Sequence, residues 1–359
     1  QECLCCRSDY SQVLSLQGSK KPKRQTRLPV IMAKGSKGKA PVKLVEEHKR
    51  AWANHADPIS WLGLLSFFGI WVGSPIIPPA CVAAAFTGVS NKPLMALAGY
   101  YAYRAAFPAK SWLLVQEAYR ACFQRCYFKA QRVVMYDSAV SPDSKTLIGF
   151  HPHGALSCGW TLANASSLLG SPTTNMQWLV APLLFRIPLI ADVLTWNSVQ
   201  SVVPKNFKKV MSKGQNISII PGGFHSAAVF KSGRYRCFVL KRKGFVKYAL
   251  QYGYALRPAF CFGEESTYLT LNLFERFRLK YLAGNNVPPV LFLGKYGVLP
   301  FDNHEMTVVV GSPIQCPLVE NPTKEDVEKY HSLYVEGLRR VFDENKKEYA
   351  TEDATLELM

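Results

Sequence analysis

The chain has 359 residues, 48% hydrophobic and 19% charged, with 43 Lys and Arg against 25 Asp and Glu and a formal net charge of +18. That balance excludes a disordered, collagen-like or disulfide-framework chain. Ten Cys without a His/Cys ladder encode no zinc site and suit a reducing, cytosol-facing setting.

The chain opens at Gln1 and reaches its first Met at Met32, where translation is expected to start. Between Lys20 and Lys43 stand nine basic residues and no acidic one, mixed with Gly, Ser and Pro. Such a composition cannot bury enough apolar area to fold, so residues 1–58 are read as a basic, largely disordered arm. No apolar h-region marks a secretory signal, and Cys3, Cys5 and Cys6 are palmitoylation candidates if translated.

From Ile59 to Asn91 no residue is charged, and apolar character resumes from Leu94 to Tyr103. This is the length of a membrane segment. Pro75, Pro78 and Pro79 lie within it, and proline lacks the N–H and clashes with the preceding turn, so two helices joined at a bend are expected over residues 59–103. The arm before this hairpin is basic, and so is the segment after it, with Arg104, Lys110, Arg120, Arg125, Lys129 and Arg132 against Glu117 alone. The positive-inside bias puts both ends in the cytosol. A buried helical pair inside a soluble protein is the other reading.

Residues 104–359 change to short apolar runs bounded by Gly, Pro or polar turns. Thr146 to Phe150, Met176 to Val180, Val199 to Val203, Asn216 to Ile220, Leu256 to Phe262 and Thr307 to Gly311 read as buried strands alternating with helices. Val327, Tyr330, Tyr334, Leu338 and Phe342 recur at spacings of three and four, one apolar stripe on a closing helix. The sum is an α/β domain with a buried sheet.

The first of these strands runs into His151-Pro152-His153-Gly154. The carboxyl end of a strand in an α/β fold is where ligands bind, and a neutral imidazole can take a proton from an alcohol. Pro152 stiffens the turn and Gly154 lets a substrate approach the backbone. A structural turn with hydrogen-bonded histidines is the alternative. Asn216 to Ile220 leads into Pro221-Gly222-Gly223-Phe224-His225-Ser226, whose glycine N–H groups are candidates to hold an oxyanion, with His225 as a secondary binding candidate. From Val193 to Gly263 stand twelve basic residues and no acidic one, among them Arg242, Lys243 and Lys247 around Gly244. The field of that span attracts a polyanion, and without a nucleic-acid motif a phosphate-bearing metabolite such as coenzyme A fits better than nucleic acid.

These residues resemble the type 2 diacylglycerol O-acyltransferases and the related monoacylglycerol and wax-alcohol acyltransferases. His-Pro-His-Gly (151 to 154), Pro-Gly-Gly (221 to 223), Arg-Lys-Gly-Phe-Val-Lys-Tyr-Ala-Leu (242 to 250) and Phe-Gly-Glu (262 to 264) stand in the family's order. The resemblance implies a glycerolipid-acyltransferase-like α/β domain with a buried mixed sheet behind a transmembrane hairpin. It also implies an endoplasmic reticulum membrane enzyme facing the cytosol, with the lipid droplet as a second location, that esterifies diacylglycerol with acyl-CoA as co-substrate and needs no further cofactor or metal. Some plant members have Glu where His151 stands, which assigns the base to His153 and its support to His151. Gly222 and Gly223 then hold the oxyanion; Arg242, Lys243 and Lys247 hold phosphates; and Pro152, Gly154, Pro221, His225, Gly244 and Glu264 are expected to contact substrates. The family usually has Glu where this chain has Ser226, so Glu264, Glu265 or His225 would have to substitute. Monoacylglycerol or a long-chain alcohol as acceptor, and a non-catalytic lipid-droplet or membrane-interaction protein, are the alternatives. A homo-oligomer is compatible with the sequence.

Overall fold

The computed structural model describes residues 42–50, 57–170, 173–271, 277, 280 and 290–359. The proposed start at Met32, the Cys3, Cys5, Cys6 cluster and nearly all of the basic arm lie outside the described residues.

The expected strands are present: β3 (Thr146–His151), β4 (Met176–Val180), β5 (Gln200–Ser201), β6 (Asn216–Ile219), β8 (Ala255–Phe262) and β11 (Met306–Val310). The sequence does not announce β1 (Lys43–Lys49) or β2 (Ala130–Tyr136), nor several strands of two or three residues. The central order is β1-β2-β11-β8-β3-β6-β4-β5, and β12 (Ile314–Gln315) also pairs with β8. The run β8-β3-β6-β4-β5 is parallel, whereas β11 is antiparallel to β8 and β1 is antiparallel to β2, so the sheet is mixed. Side chains alternate between two buried faces. Ile148 and Phe150 enter one apolar cluster with Met176 and Trp178, and Leu147 enters the other with Ile217, Phe260 and Tyr334.

The arm assignment is therefore corrected at its end: Lys43–Lys49 is an edge strand of the sheet, not disordered. Its sequence, Lys-Leu-Val-Glu-Glu-His-Lys, has no apolar alternation to announce it. Buried Glu46 holds it in place, accepting from the Ser166 and Ser167 hydroxyls and from the Ser167 and Leu168 amides.

The apolar stretch is divided differently from the expectation. Helix α1 (Pro58–Gly73), a 3-10 turn (Ser74–Ile76) and α2 (Ile77–Phe86) form one helical run of 29 residues, long and apolar enough to cross a membrane. The prolines fall in the first turns of the 3-10 segment and of α2, where the missing N–H costs nothing, so they do not reverse the chain. Reversal comes later, at 87–91, before α3 (Lys92–Ala106). α1 is not free of the domain. Leu64 and Phe68 are fully buried in the core, and Gly63 lies so close to α4 (Leu113–Phe123) that a Cβ there would stand 2.5 Å from Cys122 Cβ. The end of α3 is tied to α6 (Ile190–Trp196): Tyr100 Oη and Arg104 Nε both donate to buried Asp192, the latter at 2.8 Å.

The closing helix, numbered α10 here (Lys324–Tyr349), begins with a reciprocal cap between Thr323 and Asp326 and buries Tyr334, Leu338 and Phe342 from the expected stripe. Strand β13 (Leu356–Leu358) pairs with β7 (Tyr235–Cys237).

Candidate active site

Residues 152–157 leave β3 and enter α5 (Cys158–Ala163). Alternation puts His151 on the Leu147 face, toward α10. There its Nε2 donates to Tyr334 Oη at 2.9 Å, and that hydroxyl donates to Gly149 O at 3.1 Å. Burial drives the His151 pKa down to about 3, so the ring is neutral and locked in the core. It does not touch His153, so the expected direct support of one histidine by the other is not what the fold builds.

His153 emerges on the other side of the turn and lines a cavity of about 1350 Å³. Its Nδ1 is 3.0 Å from Gly154 O and 3.3 Å from Ser157 Oγ. A carbonyl can only accept, so Nδ1 carries the proton and Nε2 the lone pair. Desolvation by the apolar surroundings holds the pKa below the usual imidazole value. The result is a neutral, oriented imidazole with a basic nitrogen.

The same cavity is lined by Pro221, Gly222, Gly223, His225, Arg242 and Gly244. Two loops and the start of α9 (Gly244–Tyr252) thus converge with His153 at the carboxyl edge of the sheet, as expected for a parallel α/β arrangement. The two glycines differ. The Gly223 amide donates to Ile220 O at 3.2 Å and is already engaged, whereas the Gly222 amide has no acceptor among the described residues. Ser226 Oγ, in α8 (Phe224–Ala228), donates to Pro221 O at 3.0 Å and Phe238 O at 3.3 Å, so this serine closes the turn and does not line the cavity.

Of the three cations expected at phosphates, Arg242 alone reaches the cavity. Its Nη2 donates to His225 Nδ1 at 2.7 Å, its guanidinium lies 5.3 Å from the Phe238 ring centroid, and its buried Nε has no partner among the described residues. Burial and then Arg242 lower the His225 pKa, keeping a neutral ring beside the guanidinium. Lys243 instead pairs with Glu328 of α10, and Lys247 is exposed away from the cavity. Phe245, Val246, Ala249 and Leu250 form the buried face of α9 and leave Lys247 outside it, whereas Lys243 stands at the helix N-cap.

Pro152, Gly154 and Glu264 are likewise not in the cavity wall. Glu264 is 1% exposed and accepts from the Cys158 amide at 3.1 Å and the Gly159 amide at 2.7 Å. Gly154 (φ +69°) is glycine to make room for that carboxylate: a Cβ would stand 1.9 Å from Glu264 Oε1. Burial raises the Glu264 pKa to about 8 against the two amide bonds that lower it. Glu265 is also buried and accepts from the Gly263 amide at 2.9 Å. Neither glutamate lines the cavity.

The sequence reading missed the apolar wall. Phe67, Trp71 and Val72 of α1 line the cavity with Tyr119 and Phe123 of α4, and Trp160 and Trp178 meet edge to face at 4.8 Å across another part of it. Apolar residues of a supposed anchor carry no sequence signal that they also wall a site.

The sequence profile described as "Diacylglycerol acyltransferase" matches residues 92–359. Among curated relatives, diacylglycerol O-acyltransferase 2 of Dictyostelium discoideum is 30% identical over 64% of this chain and 74% of its own. Acyl-CoA wax alcohol acyltransferase 2 of Mus musculus is 30% identical over 62% of this chain and 72% of its own. 2-Acylglycerol O-acyltransferase 1 of Bos taurus is 32% identical over 62% and 71%. With the family profile covering well over half of its length, the chain belongs to the diacylglycerol acyltransferase family and is an acyltransferase.

Proposed function

We propose that the protein transfers the acyl group of acyl-CoA to the free hydroxyl of diacylglycerol, forming triacylglycerol, with His153 as general base. The observation that carries this reading is the contact of His153 Nδ1 with Gly154 O at 3.0 Å, which leaves Nε2 as the basic nitrogen of a ring lining a cavity shared with Gly222 and Arg242. Nε2 takes the hydroxyl proton as the oxygen attacks the thioester carbonyl. The oxyanion is held by the Gly222 amide, the tetrahedral intermediate expels coenzyme A thiolate, and the proton on His153 neutralises it. A thiolate leaves without a strong acid, which suits a site whose carboxylates face away.

Membrane attachment is part of the same reading. The exposed far part of the helical run, through α2, is assigned to the bilayer, with α3 returning beside it. Exposed apolar residues support this, Phe86 at 91% and Val89 at 79% above all. α1 packs on the domain at Leu64 and Phe68 and α3 returns to it at Asp192, so both ends of the stretch lie on one side, assigned to the cytosolic face of the endoplasmic reticulum. Through Phe67 and Trp71 the cavity meets the same helix, a route by which lipid dissolved in the bilayer reaches His153.

The names of the wax-alcohol and 2-acylglycerol relatives favour a second reading in which the acceptor differs and the chemistry does not. Microsomes from a triacylglycerol-deficient cell expressing the chain, given labelled acyl-CoA and diacylglycerol, monoacylglycerol or a long-chain alcohol separately, decide between them. Label in triacylglycerol is the expected outcome. Label in another ester changes the acceptor, and no label in any neutral lipid from membrane-inserted protein sinks the proposal.

Arg242 is assigned to the phosphates of acyl-CoA. Loss of one charge-assisted contact is worth about 1.5–3 kcal/mol. Arg242→Ala is therefore expected to raise KM for acyl-CoA by about tenfold or more, while Lys247→Ala leaves it within about twofold. Equal effects of the two substitutions would return the site to a diffuse basic field.

A further inference from the structure

We infer that Glu264 is a positioning residue for the base: its carboxyl group clamps the start of α5 and the back of the Gly154 turn, and so fixes the loop that carries His153. The inference rests on His153 being the base. The geometry is closed on every side. One carboxylate oxygen takes the Cys158 amide and the other the Gly159 amide, at 3.1 and 2.7 Å. Both belong to the first turn of the helix that follows Ser157, whose hydroxyl is 3.3 Å from His153 Nδ1. On the opposite side the carboxylate fills the space that a side chain at 154 would need, and Gly154 O is the acceptor that fixes the His153 tautomer. One side chain therefore restrains both ends of the segment 154–159. It reaches there from the end of β8, the strand paired with β3 on the side opposite β6, so it ties the loop to a fixed neighbour in the sheet.

A carboxylate that only bound substrate would line the cavity, and Glu264 does not. Its effect must be on the rate of the step that His153 serves and not on affinity, because a base displaced by about 1 Å can lose about a hundredfold in rate while the binding surfaces stay.

The test uses the full chain in microsomes, comparing Glu264→Gln, Glu264→Ala, Gly154→Ala and the double variant Gly154→Ala/Glu264→Ala, with His153→Ala beside them and thermal retention of folded protein measured for each. Glutamine can accept only one of the two amides and turns an NH₂ toward the other, so kcat should fall by about tenfold, and by about a hundredfold in Glu264→Ala, with KM for acyl-CoA and acceptor within about twofold. Because Glu264→Ala vacates the space that a methyl at 154 needs, the Gly154→Ala effect should shrink in the double variant. A tenfold rise in KM with kcat retained would make Glu264 a substrate contact and overturn the inference, as would unchanged kinetics in Glu264→Ala or additive effects in the double variant. If Glu264→Ala does not fold, Glu264→Gln decides; if that variant also fails to fold, Glu264 supports the fold alone and the inference is overturned. Activity retained by His153→Ala would instead overturn the base assignment, which is a separate outcome.

Discussion

His153→Ala is expected to lower acyl transfer by about a thousandfold without loss of folded, membrane-inserted protein. A general base contributes about a hundred- to ten-thousandfold, and among the described residues no second imidazole is placed to take over. His151 is held by Tyr334 in the core, and the Nδ1 of His225 already accepts from Arg242. His153 is only partly buried and faces a cavity, so its removal opens space already open and should leave the melting behaviour near that of the parent. His151→Ala should do the reverse: it leaves the Tyr334 hydroxyl with one partner fewer in a buried network and should lose folded protein before it loses specific activity. The acid limb of the pH–rate profile carries a second check. Desolvation lowers the His153 pKa, so the neutral, basic form persists below the usual imidazole value near 6.5 and activity should fall only as pH drops past it. An acid limb at or above 6.5, or His153→Ala within about threefold of the parent, would remove His153 from the role.

The parts of the fold that could be read from sequence are those in which burial on both faces forces a continuous apolar run. Thr146 to Phe150 and Met176 to Val180 are such runs. β1 escapes because it is the partly exposed edge of the sheet and carries Glu46 and Glu47, and buried β2 because Gln131 and Arg132 interrupt its apolar residues, Arg132 binding Glu47 across the pair. The hairpin was misplaced for a different reason. Proline was read as a breaker, yet at the first turn of a helix it is tolerated, and the reversal falls at Gly88 with φ +72°. In the site, the order of motifs led to His153, Gly222 and Arg242. The outward turn of Lys247 was available from the spacing of Phe245, Val246, Ala249 and Leu250 on α9, whereas the clamp by Glu264 was not, since it joins groups a hundred residues apart across two strands.

Gly222→Ala is expected to abolish acyl transfer, with Gly223→Ala the milder of the two. Both residues have positive φ, +98° and +47°, so any side chain carries a backbone cost of about 1–3 kcal/mol at either position. Space separates them. A Cβ on Gly223 meets nothing within 4 Å, whereas one on Gly222 would stand 2.2 Å from Ser226 Oγ and 2.4 Å from Phe238 O. The serine hydroxyl can rotate, but only by giving up its bonds to Pro221 O and Phe238 O, and the Phe238 carbonyl belongs to the backbone that leads to Arg242. The turn must therefore shift, carrying with it the one glycine amide of the pair that is not already engaged. Loss of an oxyanion donor alone costs about a hundred- to a thousandfold, and here the phosphate-binding Arg242 moves too. Rates for the two variants, measured with His153 intact, distinguish the assignments. A greater loss in Gly223→Ala would mean that the oxyanion is held by the amide now turned toward Ile220, and that the turn rearranges when acyl-CoA binds.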